Sequence, residues 1–149
     1  MRNAFSMITA IFVLIIMASI SVFVLSYSNK GAKSTTLQYQ RAQALLYAKS
    51  YTEFAILAVT AHNRTANCVK SIEDTIGNIN QGGYRIRTYI SYIGPITEIG
   101  TCPSSRRLST NVTTTDTPLT LIIDSYVSYK DPDNTSQTST VHLRTVQKI

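Results

Sequence analysis

Few residues in this chain could do chemistry, and their spacing argues against a catalytic centre. The two histidines, His62 and His142, fall in no H-x-x-x-H or G-x-S-x-G type motif. Serines are plentiful, so a Ser-His-Asp grouping could be drawn, but none sits in a nucleophile motif; the chain reads as a non-enzyme. Asp131-Pro132-Asp133-Asn134 crowds oxygen ligands as a calcium loop does, without the glycine and distal Glu of an EF-hand. A hairpin turn explains the same residues. Asn-x-Ser/Thr triplets begin at Asn63, Asn111 and Asn134 and are assigned no role.

Cys68 and Cys102 have no Cys or His neighbour at ligand spacing, so no metal site is expected. In an oxidising compartment an even pair reads as one disulfide; two buried free thiols are the alternative. The net charge of +6 makes nucleic acid and anionic lipid candidate partners. The basic residues are nevertheless scattered, and no run beyond residue 40 is longer than the pair Arg106-Arg107. A phosphate-tracking groove cannot be read from that spacing, so DNA is not the expected partner.

The element that must position everything else is the run at 5–27, which has no charged residue, Pro or Gly. As a helix it is roughly 34 Å long, enough for the ~30 Å hydrocarbon layer of a bilayer. No A-x-A-like cleavage site followed by a polar start lies at its far end, so the run is expected to be retained. Arg2 on one side against Lys30 and Lys33 on the other would by count alone favour the reverse of a C-terminus-out orientation.

At Ala4-Phe5 the order of residues, a small side chain, then Phe5, Ser6, Met7, Ile8 and an unbroken apolar helix, resembles the N-terminus of the type IV pilin and type II secretion pseudopilin family. The resemblance implies that a prepilin peptidase removes residues 1–4 as a leader and methylates the amino group of Phe5. Two positions depart from the pattern. Ala4 stands where Gly is usual, and Thr9 stands where most members carry an acidic residue that pairs with a neighbouring subunit's amino terminus. A carboxylate in hydrocarbon is tolerable only with such a partner. Thr9 cannot make that ion pair, which within the family resembles a minor subunit at the filament tip.

Periodicity extends the helix. Residues 37–62 lack Gly and Pro, with Leu46, Ser50, Phe54, Leu57 and Ala61 on one stripe and Leu45, Ala48, Thr52, Ala55 and Val59 on a neighbouring one. The helix is expected to end near Asn63 or Asn67. Residues 68–79, with Val69, Ile72 and Ile76 at helical steps before Gly82-Gly83, read as a brief helix. Residues 84–93 alternate as a strand, with Tyr84, Ile86, Thr88, Ile90 and Tyr92 on one face, ended by Gly94-Pro95. Residues 95–118 read as a long polar loop with strand character near Val112 and Thr113. Residues 119–130 and 139–148 read as a hairpin, with Leu121, Ile123, Ser125, Val127 and Tyr129 on one face.

The expectation is an α+β fold: a long N-terminal helix, membrane-spanning in its first half, packed on a small antiparallel β-sheet as in pilins. Its parts are a leader at 1–4, a transmembrane half at 5–29 and a periplasmic domain at 30–149. The resemblance implies a minor pilin or pseudopilin of a bacterial type IV pilus or type II secretion system, single-pass in the inner membrane. It would assemble with other such subunits through Phe5, Ile8 and Thr9. Arg106 and Arg107 are the expected partner contact. No cofactor is expected, although some pseudopilins bind calcium. A single-span anchor for a periplasmic binding domain and a DNA-uptake pilus component are the rival readings.

Overall fold

Residues 2–63, 66–112, 119–131, 134 and 136–149 are described in this computed structural model of the protein, those at 2–6 and 29–33 for their backbone alone. The elements run α1 (Arg2–Ala61), β1 (Ser71–Ile76), a 3-10 turn (Ile79–Gln81), β2 (Tyr84–Ile93), α2 (Ile96–Ile99), a second 3-10 turn (Ser104–Arg106), β3 (Arg107–Ser109), β4 (Thr120–Lys130) and β5 (Thr138–Lys148). This is an α+β layout, an apolar N-terminal helix followed by a small and mainly antiparallel sheet. The chain divides into two compact units, residues 1–39 and 40–149.

The first unit is helical, and Met7–Ser28 is long and apolar enough to cross a membrane. Its large side chains are exposed around the whole circumference, from Ile8 and Phe12 to Phe23 and Leu25. Such a helix needs an apolar environment on every side. Two of its hydroxyls are satisfied locally: Ser19 donates to the Ile16 carbonyl and Ser21 to the Met17 carbonyl, both at 2.8 Å. Such back-bonding lets a hydroxyl sit in hydrocarbon without an unpaired donor.

In the second unit the strands lie in the order β1-β2-β4-β5, every neighbouring pair antiparallel. β3 pairs parallel with β2 through Tyr92↔Arg107 and Ile93↔Ser109, on the edge that β1 occupies further back. The faces read from period two are the buried ones. Ile86, Thr88 and Ile90 of β2 and Leu121, Ile123, Ser125 and Val127 of β4 are fully buried, while Tyr84, Tyr92 and Tyr129 are nearly so.

Of the two stripes on α1, the sheet takes the one with small side chains. Ala48, Thr52, Ala55 and Val59 of that stripe are buried, with Ala44 in place of the expected Leu45, which is 39% exposed, while Leu46, Phe54 and Leu57 remain 65%, 52% and 62% exposed. Small residues let the helix backbone approach a sheet already crowded with Ile, Leu and Tyr, as close packing requires. The core falls into two clusters, one around Ile90, Tyr92, Ile99, Cys102 and Leu121, the other around Tyr84, Ile86, Val127 and Tyr129. Between them in sequence on each element lies a hydroxyl: Ser125 is 3.0 Å from Thr52 and 3.1 Å from Thr88, and Thr52 also donates to the Ala48 carbonyl at 2.8 Å.

Three expectations need correction. Residues 68–79 form no brief helix: β1 pairs with β2 from Ser71↔Tyr89 to Ile76↔Tyr84. The spacing of four between Ile72 and Ile76 fits a strand face as well as a helix face, and the open edge of β2 supplies backbone partners that an isolated short helix lacks. The connection to β2 uses Asn78, whose side chain caps the 3-10 turn through the Asn80 N–H, and Gly82 at φ 84°. A Cβ on Gly83 would come within 2.6 Å of the Asn78 backbone, so this close turn needs glycine. Residues 95–118 also hold more structure than a loop, namely α2, the second 3-10 turn and β3. The strand expected near Val112 and Thr113 is not found at Val112, and Thr113 lies outside the described residues.

The hairpin connection at 131–137 is closed by the Asp131 N–H to the Gln137 carbonyl at 3.2 Å. Pro132 and Asp133, the middle of the calcium-loop reading, lie outside the described residues, as does Thr135. So do Arg64 and Thr65 of the Asn63 triplet.

Candidate functional site

The sequence-derived residues fall in three separate places. Ala4 and Phe5 lie in the first turns of α1, with their side chains outside the described set. Ile8, 68% exposed, and Thr9, also exposed, follow within the apolar first unit. The large side chains that follow along this segment, from Met7 to Leu25, are apolar and exposed.

Cys68 and Cys102 form a disulfide with Cα atoms 5.0 Å apart. Cys102 is 3% exposed within the core cluster that holds Ile99 and Leu119. Its N–H reaches the Ile99 carbonyl at 3.0 Å, the last turn of α2. Nearby in sequence to Cys68, the Val69 carbonyl accepts the Tyr92 hydroxyl at 2.5 Å. The bridge thus ties the segment entering β1 to the segment leaving α2. The two cysteines serve the scaffold.

The pair Arg106-Arg107 is split by the fold. Arg107 opens β3 and is half-buried, its Nε without a hydrogen-bond partner among the described residues. Arg106 instead lies on the sheet face turned away from α1, its guanidinium carbon 4.6 Å from the Tyr89 ring centroid. The register continues that face across three strands: Tyr89 opposes Asp124, Arg87 opposes Tyr126, Asp124 opposes Arg144 and Tyr126 opposes His142. Tyr89 meets Tyr126 edge-on at 6.1 Å, and Tyr126 and His142 stack at 4.4 Å with planes 7° apart.

Asp124 is the hub of this face. Arg144 donates to both its oxygens, at 2.7 and 2.9 Å, and His142 Nε2 lies 2.8 Å from Oδ1. The Arg144 hydrogen bonds hold its carboxyl below the usual range, with His142 adding to them against the effect of partial burial. Period two places Asp124 and Tyr126 together on one face of β4, but the partners of Asp124 lie 18 and 20 residues further on. Only the hairpin register, set by a turn the sequence does not define, brings His142 and Arg144 beside them.

A second feature is an open groove of about 480 Å³ lined by Ser50, Tyr51 and Phe54 of α1 and Ile72, Glu73 and Asp74 of β1. The Tyr51 hydroxyl donates to Asp74 Oδ2, which pushes Tyr51 up to about 12 and holds Asp74 below its ordinary value. Among the described residues no group of three or more His, Cys, Asp or Glu is placed to hold a metal ion. The class of protein defined at this point is an α+β chain with one candidate membrane span and a disulfide-tied sheet unit. No protein-family model, curated protein or solved structure matches it.

Proposed function

We propose that this chain is a minor pilin or pseudopilin subunit of a bacterial type IV pilus or type II secretion system. Residues 1–4 would be its leader and the apolar helix its means of storage in the inner membrane and of assembly with other subunits. The observation that carries the reading is the order at the N-terminus: a small residue, Phe5-Ser6-Met7-Ile8, and an uncharged helix with no cleavage signal at its far end. The layout supports it, because α1 runs from this apolar segment to Ala61 and lays a stripe of small residues on the sheet. The Leu46-Phe54-Leu57 stripe left exposed supplies apolar surface of the kind that neighbouring helices cover.

Thr9 in place of an acidic residue fits a subunit that needs no partner above it, at the filament tip. The soluble unit would then lie on the periplasmic side, where the Cys68–Cys102 disulfide is stable. The test is the intact mass of the protein from membranes, with and without a co-expressed prepilin peptidase. The expected result is loss of residues 1–4 together with gain of one methyl group. An unprocessed N-terminus beside an active peptidase refutes the reading and leaves a plain single-span anchor.

A further inference from the structure

The sheet face turned away from α1 carries two things together: a row of rings in contact and most of the chain's charge excess. The row runs Arg106, Tyr89, Tyr126, His142 across β2, β4 and β5. His142 ends it with 41% of its side chain exposed. Around it the register places Arg85 and Arg87 on β2, Lys130 on β4, and Arg144 and Lys148 on β5, set against Glu73 and Asp124 among the described strand residues. Asp124 is already neutralised by Arg144, whose side chain keeps 62% exposure.

We infer that this face, the outer surface of β2, β4 and β5, is a binding platform for single-stranded nucleic acid. Its cations would meet phosphates, and a base would stack on the exposed side of His142, extending the ring row that Tyr126 and Tyr89 support from behind. Charge complementarity selects a polyanion, since the face carries cations well in excess of carboxylates. The rings select among polyanions: an exposed base has a planar face to stack, whereas a sulfated polysaccharide or a lipid headgroup has none. A duplex keeps its bases inside its own stack. The platform reads ring faces and backbone, so discrimination among bases should be weak.

This inference is independent of the filament reading, whose test is a processed mass. Its own test uses the full-length chain in a nonionic detergent, titrated into fluorescein-labelled oligodeoxythymidine, oligouridine of equal length and a duplex of equal length, with heparin and anionic-lipid vesicles as polyanions without exposed bases. The expected result is preference for a single strand over duplex and heparin. The single strand bound more tightly, deoxy or ribo, identifies the source. Affinity should fall with salt at a slope of roughly −3 on logarithmic axes for about four phosphate contacts. Tyr126→Ala should weaken binding about ten-fold, while Tyr126→Phe keeps it. Because the chain contains no tryptophan, Tyr126→Trp adds a unique reporter whose emission should be quenched by the oligonucleotide and not by heparin. The reporter also covers the case in which Tyr126→Ala fails to fold. Equal binding to heparin or vesicles, an unquenched reporter, or no binding at moderate salt would each overturn the proposal.

Discussion

Replacing Ser125 by alanine should destabilise the sheet unit more than its size implies, because the loss falls on a neighbour. Ser125 and Thr88 are fully buried and Thr52 is 3% exposed, so none of the three can turn to water. Thr52 keeps its bond to the Ala48 carbonyl when Ser125 is truncated. Thr88 has only Ser125 as a side-chain partner among the described residues, and so becomes a buried hydroxyl with nothing to bond. That costs about 1–3 kcal/mol. Thr88→Val removes the hydroxyl itself and leaves Ser125 bonded to Thr52, at a cost below about 1 kcal/mol.

The double variant Thr88→Val/Ser125→Ala should therefore be more stable than Ser125→Ala alone, with a coupling of about 1–2 kcal/mol. For a domain near 100 residues, 2 kcal/mol lowers Tm by about 10 °C. The assay is thermal and urea unfolding of the full chain in detergent, followed by near-UV circular dichroism. Seven of the nine tyrosines lie beyond residue 40, so that signal reports the sheet unit. If the two single costs simply add in the double variant, or Thr88→Val costs more than Ser125→Ala, the reasoning about the stranded hydroxyl is wrong.

Reducing the Cys68–Cys102 bridge should lower stability by about 4 kcal/mol, since it closes a loop spanning 34 residues in the unfolded chain. The same melts with and without reductant measure this, and a shift under a few degrees would contradict it. In an alkaline titration of tyrosinate absorbance, one step should come near pH 12 and vanish in Tyr51→Phe. Because the folded value lies above the ordinary 10.0, the Tyr51–Asp74 contact stabilises fully below pH 10, and that stability is lost as pH rises toward 12. Asp124 has the opposite sign. Its lowered value means its ion pairs stabilise the protein above the ordinary carboxylate range and are lost as pH falls below it, so Asp124→Asn should flatten the acid limb of a Tm against pH curve.

Periodicity in the sequence was enough to identify the apolar segment, the faces of β2 and β4 and the hairpin of β4 with β5, because each depends on residues adjacent along the chain. It misread β1, because a four-residue spacing serves helix and strand alike and the edge of β2 made the choice. It also left open which stripe of α1 turns inward, since both are apolar. The structure selects Ala44, Ala48, Thr52, Ala55 and Val59 because close approach to a sheet of large side chains requires small ones.

By itself, the sequence determined that the chain carries one membrane-length apolar helix and an α+β remainder. It supplied as well the N-terminal pattern on which the proposed role rests. Only the tertiary structure decided that Cys68 meets Cys102, that Arg106 and Arg107 part company, and that Tyr89, Tyr126, His142 and Arg144 share one face. Those outcomes depend on strand register and on which backbone edge is open. Both are settled by contacts between residues tens of positions apart, which no local pattern records.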